Sequence, residues 1–263
     1  MIDTHTHLYM PEYAAEGQSE SSFRGQCHAV QRALDADVEM MILPNVDCES
    51  IKPIKLLHAL CPDSTAMAMG LHPTEVKDSW RDDMDFIMEE LNSSPDQYVA
   101  IGEAGIDLYW DKQYESYQMQ VFDRQLSEAS KLKLPVIIHC REALPQTLEV
   151  LKGHPDVRAV FHSFGGDDTD VDMIRRYGDY YFGINGIVTF KNSKLRYTLP
   201  HIGLDRLLTE TDAPFLAPTP FRGKRNESSY IPLILNTMAD ALGLSFDELN
   251  MITTANAKIL FNL

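Results

Sequence analysis

Short apolar segments recur at fairly regular intervals along the chain, and amphipathic stretches lie between most of them. Their nearly continuous apolar character is typical of parallel strands that are buried on both faces. Alternation of such strands with helices predicts an α/β fold, a (β/α)8 TIM barrel. The eight predicted strands are Ile2–His7, Met40–Val46, Ala66–Leu71, Val99–Gly102, Val136–His139, Ala159–His162, Tyr180–Ile184 and Leu207–Thr211.

The stretches between these strands carry helical patterns of different strength. Glu115–Leu132 places its apolar side chains on one face, and Asp82–Leu91 is a shorter amphipathic stretch. Ile231–Leu242 is followed by Gly243, a residue that commonly ends helices. The Ser-Phe-Asp-Glu sequence at 245–248 is a capping box that opens a C-terminal helix. Prolines interrupt the segment after the second strand, where the pattern does not define a helix.

Length and composition bound the interpretation further. The chain has 263 residues and 44% hydrophobic content, which suits a single domain over residues 1–263, since an α/β barrel takes about 250 residues. The formal net charge is −16, which argues against a basic surface that coats nucleic acid non-specifically. It does not exclude an anionic substrate at a small site, because bound cations and a local basic loop can reverse the sign there.

The sequence has neither an apolar run long enough to cross a bilayer nor a signal-peptide pattern at its start. The cysteines at 27, 48, 61 and 140 form no C-x-x-C pair, which fits a reducing compartment. We therefore expect a soluble, cytoplasmic protein. Cys140 is interpreted as a buried structural thiol, with a nucleophilic role as the minor alternative.

His5 and His7 lie two residues apart at the end of the first predicted strand. In a strand, side chains two apart point the same way, so the two imidazoles would chelate one divalent ion. A bare H-x-H pair is more often two unrelated polar residues, so this interpretation depends on ligands from later strands.

Metal-competent side chains do follow the apolar runs of five predicted strands, whose C-terminal ends gather at one face of a barrel. Each alone has an ordinary alternative, either a hydrogen-bonded core histidine or an acid that caps a helix. Together they favour a metal site, and six ligands suit two divalent ions bridged by a carboxylate. The six candidates are His5, His7, Glu103, His139, His162 and Asp212.

These residues belong to longer motifs. The motifs span residues 3–8 (Asp-Thr-His-Thr-His-Leu), 70–73 (Gly-Leu-His-Pro), 101–107 (Ile-Gly-Glu-Ala-Gly-Ile-Asp), 134–141, 161–164, 210–214 (Glu-Thr-Asp-Ala-Pro) and 220–227 (Pro-Phe-Arg-Gly-Lys-Arg-Asn-Glu). With them the chain resembles the TatD-like deoxyribonuclease family of metal-dependent hydrolases over nearly its whole length. It differs from that family's pattern at 163–166 and 228–229, which bears only on the shape of the substrate groove.

The resemblance implies a TIM barrel whose two-metal site hydrolyses phosphodiester bonds in DNA, in an exonuclease-like manner on single strands. By that pattern one cation is held by His5, His7 and Asp212, the other by His139 and His162, with Glu103 bridging. The cations would be Zn²⁺, Mn²⁺ or Mg²⁺. We expect a water to attack phosphorus while Asp212 accepts its proton.

Several further side chains are candidates for substrate binding. Arg222, Lys224 and Arg225 follow the last strand, where they either grip phosphate or pair with acids such as Glu227 and order the loop. Arg141 is another candidate for phosphate.

His72 follows the third strand and has either a phosphate-binding or a structural role. Tyr109 and Trp110 come shortly after Glu103 and either stack on a base or pack the loop.

Two other functions are considered. The first is an amidohydrolase acting on a small cyclic amide or lactone, although many such enzymes use a carboxylated lysine where this chain has Glu103. The second is a metal-stabilised scaffold without turnover, which would lack a ligand. The expected partner is a DNA or nucleotide phosphodiester, with no membrane and no protein partner.

Overall fold

Eight parallel strands pair in chain order in the computed structural model, which describes residues 1–14 and 23–263. The register runs without interruption from the first strand to the last except for shifts on either side of the fourth. The strands are β1 (Ile2–Asp3), β2 (Met40–Pro44), β3 (Thr65–Met69), β4 (Tyr98–Asp107), β5 (Val136–Arg141), β6 (Ala159–Phe161), β7 (Tyr181–Ile184) and β8 (Leu207–Thr209).

Backbone hydrogen bonds join the last strand to the segment that follows the first. The Thr4 N–H donates to the Thr209 carbonyl at 3.0 Å, and the Asp212 N–H donates to the His5 carbonyl at 2.9 Å. These bonds bring the two edges of the sheet together as a barrel, so the predicted (β/α)8 fold is confirmed.

Helices follow the strands along the described chain: α1 (Arg24–Asp35), α2 (Ile51–Leu60), α3 (Trp80–Ser93), α4 (Glu115–Leu132), α5 (Leu144–Leu151), α6 (Asp168–Arg175), α7 (Leu195–Ile202), α8 (Ile231–Leu242) and α9 (Phe246–Phe261). α4 and α8 have the predicted bounds. The capping box before α9 is present, with Ser245 Oγ accepting from the Glu248 N–H. α2 forms despite Pro53, because its first turn needs no backbone N–H from that residue.

Two strands differ from the prediction in ways that affect the site. β1 ends at Asp3, so the prediction that His5 and His7 share one face of a strand is wrong. Beyond Asp3 the chain bends at Thr4 and His5, and isolated bonds to both neighbouring strand regions hold it instead of a continuous ladder. β4 runs on to Asp107, so Glu103 lies within that strand and does not follow it.

Small and branched side chains from seven strands, together with Tyr181 of β7, fill one end of the barrel. Ile42, Ala68, Ile137 and Leu208 belong to this inner cluster, and Phe261 of α9 packs against it. α9 therefore covers the end at which the strands begin, and the end at which they finish is left for polar side chains. A larger apolar cluster lies between the strands and the surrounding helices. Among the described residues, no helix combines the length and the apolar character needed to span a membrane.

Candidate metal centre

Glu103 lies at the centre of the polar end, and one of its carboxylate oxygens faces a first group of imidazoles. Glu103 Oε2 lies 3.1 Å from His5 Nε2 and 3.7 Å from His7 Nε2. The two ring nitrogens are themselves 3.1 Å apart. Asp212 Oδ1 completes the group at 3.8 Å from His5 and 3.7 Å from His7. Four predicted ligands from the first, fourth and last strand regions thus converge.

The other carboxylate oxygen of Glu103 faces a second group. Glu103 Oε1 lies 2.8 Å from His139 Nδ1, 3.3 Å from His72 Nε2 and 3.7 Å from His162 Nε2. His72 Nε2 and His139 Nδ1 are 3.2 Å apart. The structure therefore places His72, which was predicted to contact substrate or to be structural, within the second group of donors.

A tyrosine fixes the proton position on one imidazole. The Tyr9 hydroxyl donates to the Pro44 carbonyl at 2.8 Å, so its oxygen is left to accept from His7 Nδ1, 2.9 Å away. His7 then carries its proton on Nδ1 and directs an unprotonated Nε2 towards Glu103 and Asp212. An unprotonated imidazole nitrogen among carboxylates is a ligand suited to a divalent cation.

Two carboxylates that the sequence did not single out lie behind the histidines of the second group. Asp107 Oδ2 is 2.8 Å from His139 Nε2. Glu210 Oε1 is 2.9 Å from His162 Nδ1, without the alignment of a hydrogen bond, and it accepts from the Ser163 N–H at 2.6 Å. Carboxylates in this position commonly orient histidines that bind metals. Both acids lie inside the motifs given above, but the neighbouring residues in sequence do not show which histidine each acid contacts in the fold.

A glycine makes room for one of these carboxylates. Gly183 in β7 lies against Glu210, and a Cβ atom at that position would overlap Glu210 Oε2. The absence of a side chain at Gly183 therefore allows Glu210 to approach His162.

Burial has the largest effect on the pKa values of His5, His7 and Asp212. Burial, together with neighbouring His162, lowers the pKa of His5 well below its ordinary value, and burial lowers the pKa of His7 to about 4. Burial also raises the pKa of Asp212 to about 7. Burial opposes charge on Glu103, but the surrounding imidazoles hold its pKa well below the ordinary range. Neutral imidazoles beside an ionised carboxylate are the state in which these groups bind metals.

Two histidines of the second group, His139 and His162, have pKa values shifted upward instead. Burial opposes their protonation, but Asp107 and Glu103 raise the pKa of His139. Glu210 and Glu103 raise the pKa of His162 to about 10 against the same effect of burial. In the metal-free protein at neutral pH, His162 therefore holds a proton that a cation must displace, and the raised pKa of His139 favours its proton in the same way.

The donor set fits a divalent cation. Ligands on a tetrahedral ion with bonds of about 2.0 Å are separated by about 3.3 Å, close to the 3.1 Å between His5 and His7 and to the contacts of Glu103. Imidazole and carboxylate ligands suit zinc, and carboxylates also suit manganese and magnesium. Within the described residues, three sets of donors lie within 4.8 Å of one another: His5 with His7 and Glu103, His5 with His162 and Glu210, and His72 with Glu103 and His139.

A cavity of about 410 Å³ opens onto these groups. Trp110 and Phe215 lie on its wall, as do two predicted substrate-binding residues, His72 and Arg141. Arg141 also lines an adjoining cleft of about 520 Å³, which includes the turn at 163–166. Both spaces are large enough for part of a nucleotide, and Arg141 lies between them.

The basic loop after β8 lies to one side of this cavity. Lys224 and Arg225 line a neighbouring depression beside Phe215. Arg225 donates to Glu227 Oε1 at 2.9 Å, so the loop-ordering contact considered above is present. The Arg222 guanidinium carbon lies 3.5 Å from the centre of the Phe190 ring.

The remaining candidate, Cys140, has the surroundings of a structural thiol. Its sulfur accepts from Thr147 Oγ1 at 3.4 Å, and burial raises the pKa of the thiol to about 11. A thiol in that state is a poor nucleophile at neutral pH.

Comparison with known proteins agrees with this geometry. The family described as TatD related DNase matches residues 2–262. An uncharacterized metal-dependent hydrolase of Bacillus subtilis, YabD, is 35% identical over all of this chain and 99% of its own length. The 3'-5' ssDNA/RNA exonuclease TatD of Erwinia tasmaniensis is 34% identical over 89% of this chain and 92% of its own. The crystal structure of YjjV, a TatD homologue of Escherichia coli, superposes with a TM-score of 0.87 at 28% identity, covering 100% of this chain and 98% of that one. The predicted resemblance is thereby confirmed, and the chain belongs to the TatD-related DNase family.

Proposed function

We propose that the protein is a two-metal phosphodiesterase that removes nucleotides from single-stranded DNA. The observation that carries this proposal is the position of the Glu103 carboxylate. Each of its two oxygens faces a different group of imidazoles. A carboxylate so placed is suited to bridge two cations. Family membership makes the chain a metal-dependent hydrolase acting on phosphodiester bonds. A relative named as a 3'-5' ssDNA/RNA exonuclease supports the choice of substrate.

The proposed ligands follow the two groups. One cation would be held by His5, His7 and Asp212, the other by His139 and His162, and Glu103 would contribute to both sites. The cations would lower the pKa of water and offset negative charge on the phosphoryl oxygens.

Asp212 is the proposed proton acceptor. Its side chain lines the cavity beside Glu103, where it can accept a proton from a water that attacks phosphorus. It takes a proton from the attacking water as the new phosphorus–oxygen bond forms and the bond to the leaving nucleotide oxygen breaks. Asp107 and Glu210 hold the imidazoles of His139 and His162 in place during this step.

We propose that a histidine and several cationic side chains at the cavity bind the phosphate backbone. His72 and Arg141 line the cavity and so lie nearest to the reacting phosphate. Lys224 and Arg225 are proposed to contact the next phosphate along the strand, with Arg222 ordering the loop over Phe190. Local cations matter in a chain of net charge −16, because the bulk of the surface repels DNA.

The test is hydrolysis of a labelled single-stranded oligonucleotide by protein stripped with a chelator and reloaded with Mg²⁺, Mn²⁺ or Zn²⁺. We expect stepwise shortening that requires the cation. A parallel panel of dihydropyrimidine-type amides addresses the amidohydrolase alternative, and turnover there without DNA hydrolysis would overturn the proposal. Binding of the cations without turnover of either substrate would instead support the scaffold.

Four other expectations stay predictions: the number and identity of the cations, the single domain over residues 1–263, the cytoplasmic location, and the lack of a protein partner. Metal analysis of the purified protein addresses the first of them directly.

A further inference from the structure

Two aromatic side chains beside the metal centre are exposed to solvent. In the loop after β4, the side chains of Tyr109 and Trp110 are 50% and 69% exposed. Trp110 lines the same cavity as Glu103 and Asp212. A loop that used Trp110 only for packing would bury the indole, since burial of its large apolar area is favourable. An exposed indole at the cavity therefore needs a different explanation.

The loop is held to the metal centre through a single carboxylate. Asp107 Oδ1 accepts from the Tyr109 N–H at 2.9 Å and from the Trp110 N–H at 3.3 Å. The other oxygen, Oδ2, is the one that faces His139. The position of the two aromatic residues is thus fixed relative to His139 and Glu103.

Arg141 adds a cation to these rings. Its guanidinium carbon lies 3.8 Å from the centre of the Tyr109 ring and 5.5 Å from that of Trp110. The two aromatic rings meet edge to face, with centres 4.9 Å apart and planes at 85°. The contact with Tyr109 orders Arg141, and the indole of Trp110 remains open to solvent.

We propose that Trp110, backed by Tyr109 and Arg141, is a stacking platform for a nucleobase of the strand whose phosphate lies at Glu103 and Asp212. This inference rests on the proposed function and names the part of the substrate that the cavity binds besides phosphate. Every base presents an aromatic face, so the platform accepts all bases and is used by an unpaired nucleotide. Arg141 contributes a cation on the phosphate side of the platform.

A fluorescence titration tests the platform without hydrolysis. The chain has two tryptophans, and Trp80 is only 6% exposed, so Trp80→Phe leaves the exposed indole as reporter. With the cations in place, a short oligothymidylate with phosphorothioate linkages, which resist hydrolysis, should quench Trp110 in a saturable way. An abasic oligomer with the same number of phosphates should not. Equal quenching by both, or none by either, would overturn the platform, and neither result depends on whether the protein hydrolyses DNA.

Kinetics provide a second test, with the abasic oligomer as matched substrate. Trp110→Ala should raise KM for the oligothymidylate roughly 5- to 150-fold with kcat unchanged, whereas Trp110→Phe keeps most of the affinity. Phe86→Ala, which removes a 54% exposed ring from α3, is the control and should change neither value. An equal rise in KM for the abasic oligomer would show that Trp110 supports the metal centre and does not contact the base. That result would overturn the inference. Failure of the unmodified protein to hydrolyse either oligomer would count against the proposed function, while the titration still decides the platform.

Discussion

Asp107 Oδ2 lies 2.8 Å from His139 Nε2, on the side of the imidazole opposite the nitrogen that faces Glu103. The Asp107→Asn variant keeps Oδ1 for the backbone of the following loop but removes the acceptor for His139. We expect about a 10- to 100-fold loss of affinity for a divalent cation, measured by competition with a coloured chelator. Asp123→Asn breaks a similar contact, 2.8 Å to surface His154, and should leave the affinity unchanged. Equal affinities in the unmodified protein and in both variants would show that Asp107 does not support metal binding through His139.

Glu103→Gln should impair both groups of ligands at once, because each oxygen of Glu103 faces a different one. His5→Ala should weaken chiefly the group that contains His7 and Asp212. A smaller effect is expected through the ring of His162, on which His5 stacks with centres 3.4 Å apart. Metal content measured by elemental analysis after gel filtration is therefore expected to fall further in Glu103→Gln than in His5→Ala. Circular dichroism serves as the control for folding. The same loss in both variants would argue against a bridging carboxylate.

Asp212→Asn should reduce kcat on the oligonucleotide by about 100-fold or more, because the variant cannot accept a proton from water. The pH profile gives an independent readout. Activity of the unmodified protein should rise with pH as Asp212 loses its proton, and bound cations place this limb below the pKa of about 7 found for the metal-free carboxyl. Retained turnover in the variant would exclude Asp212 as the base.

Metal binding should release protons. His162, with its pKa raised to about 10, is protonated at neutral pH in the metal-free protein, and the pKa of His139 is raised as well, so a cation competes with protons on these imidazoles. Affinity is therefore expected to rise between about pH 6 and about pH 8, and calorimetry in buffers of different ionisation enthalpy should detect the released protons. An affinity independent of pH would show that the two imidazoles are already neutral.

The salt dependence of oligonucleotide binding should distinguish the cationic side chains. Arg141→Gln is expected to lower the slope of log affinity against log salt by about one, since Arg141 lines the cavity. Arg225→Gln should lower it less, because that guanidinium is held by Glu227, which also pairs with Arg32, and by the Glu12 carbonyl. The variant should instead reduce stability by about 1 kcal/mol or less. A larger decrease of the slope in Arg225→Gln than in Arg141→Gln would indicate that the reacting strand lies over the basic loop.

Much of the fold and the ligand set could be predicted from sequence because barrel strands are local apolar runs. His139 ends its predicted strand and lies near the end of β5, and His162 directly follows β6, so both follow from that periodicity. Glu103 was identified, but its position within β4 was not, since the register shift beside it depends on pairing with β5.

Long-range contacts were harder to predict. His72 follows an apolar run and precedes a proline, which fits a structural histidine equally well, and only the closed barrel brings its ring to 3.2 Å from His139. The partners of Asp107 and Glu210 lie on other strands, so periodicity along one strand carries no signal for them. The sequence does not decide the role of the basic loop, because Arg225 can either pair with a nearby acid or extend into solvent.

The seam of the barrel has a consequence for folding. Thr4 and Thr209, which are bonded across it, are 205 residues apart in sequence. His5 and Asp212 meet only once that seam has closed, so a refolding chain acquires this ligand group last. Cation uptake should then lag behind the recovery of helical signal. A cation at 100 times its Kd would stabilise the closed barrel by about 2.7 kcal/mol, so the ion that serves hydrolysis would also hold together the first and last strands.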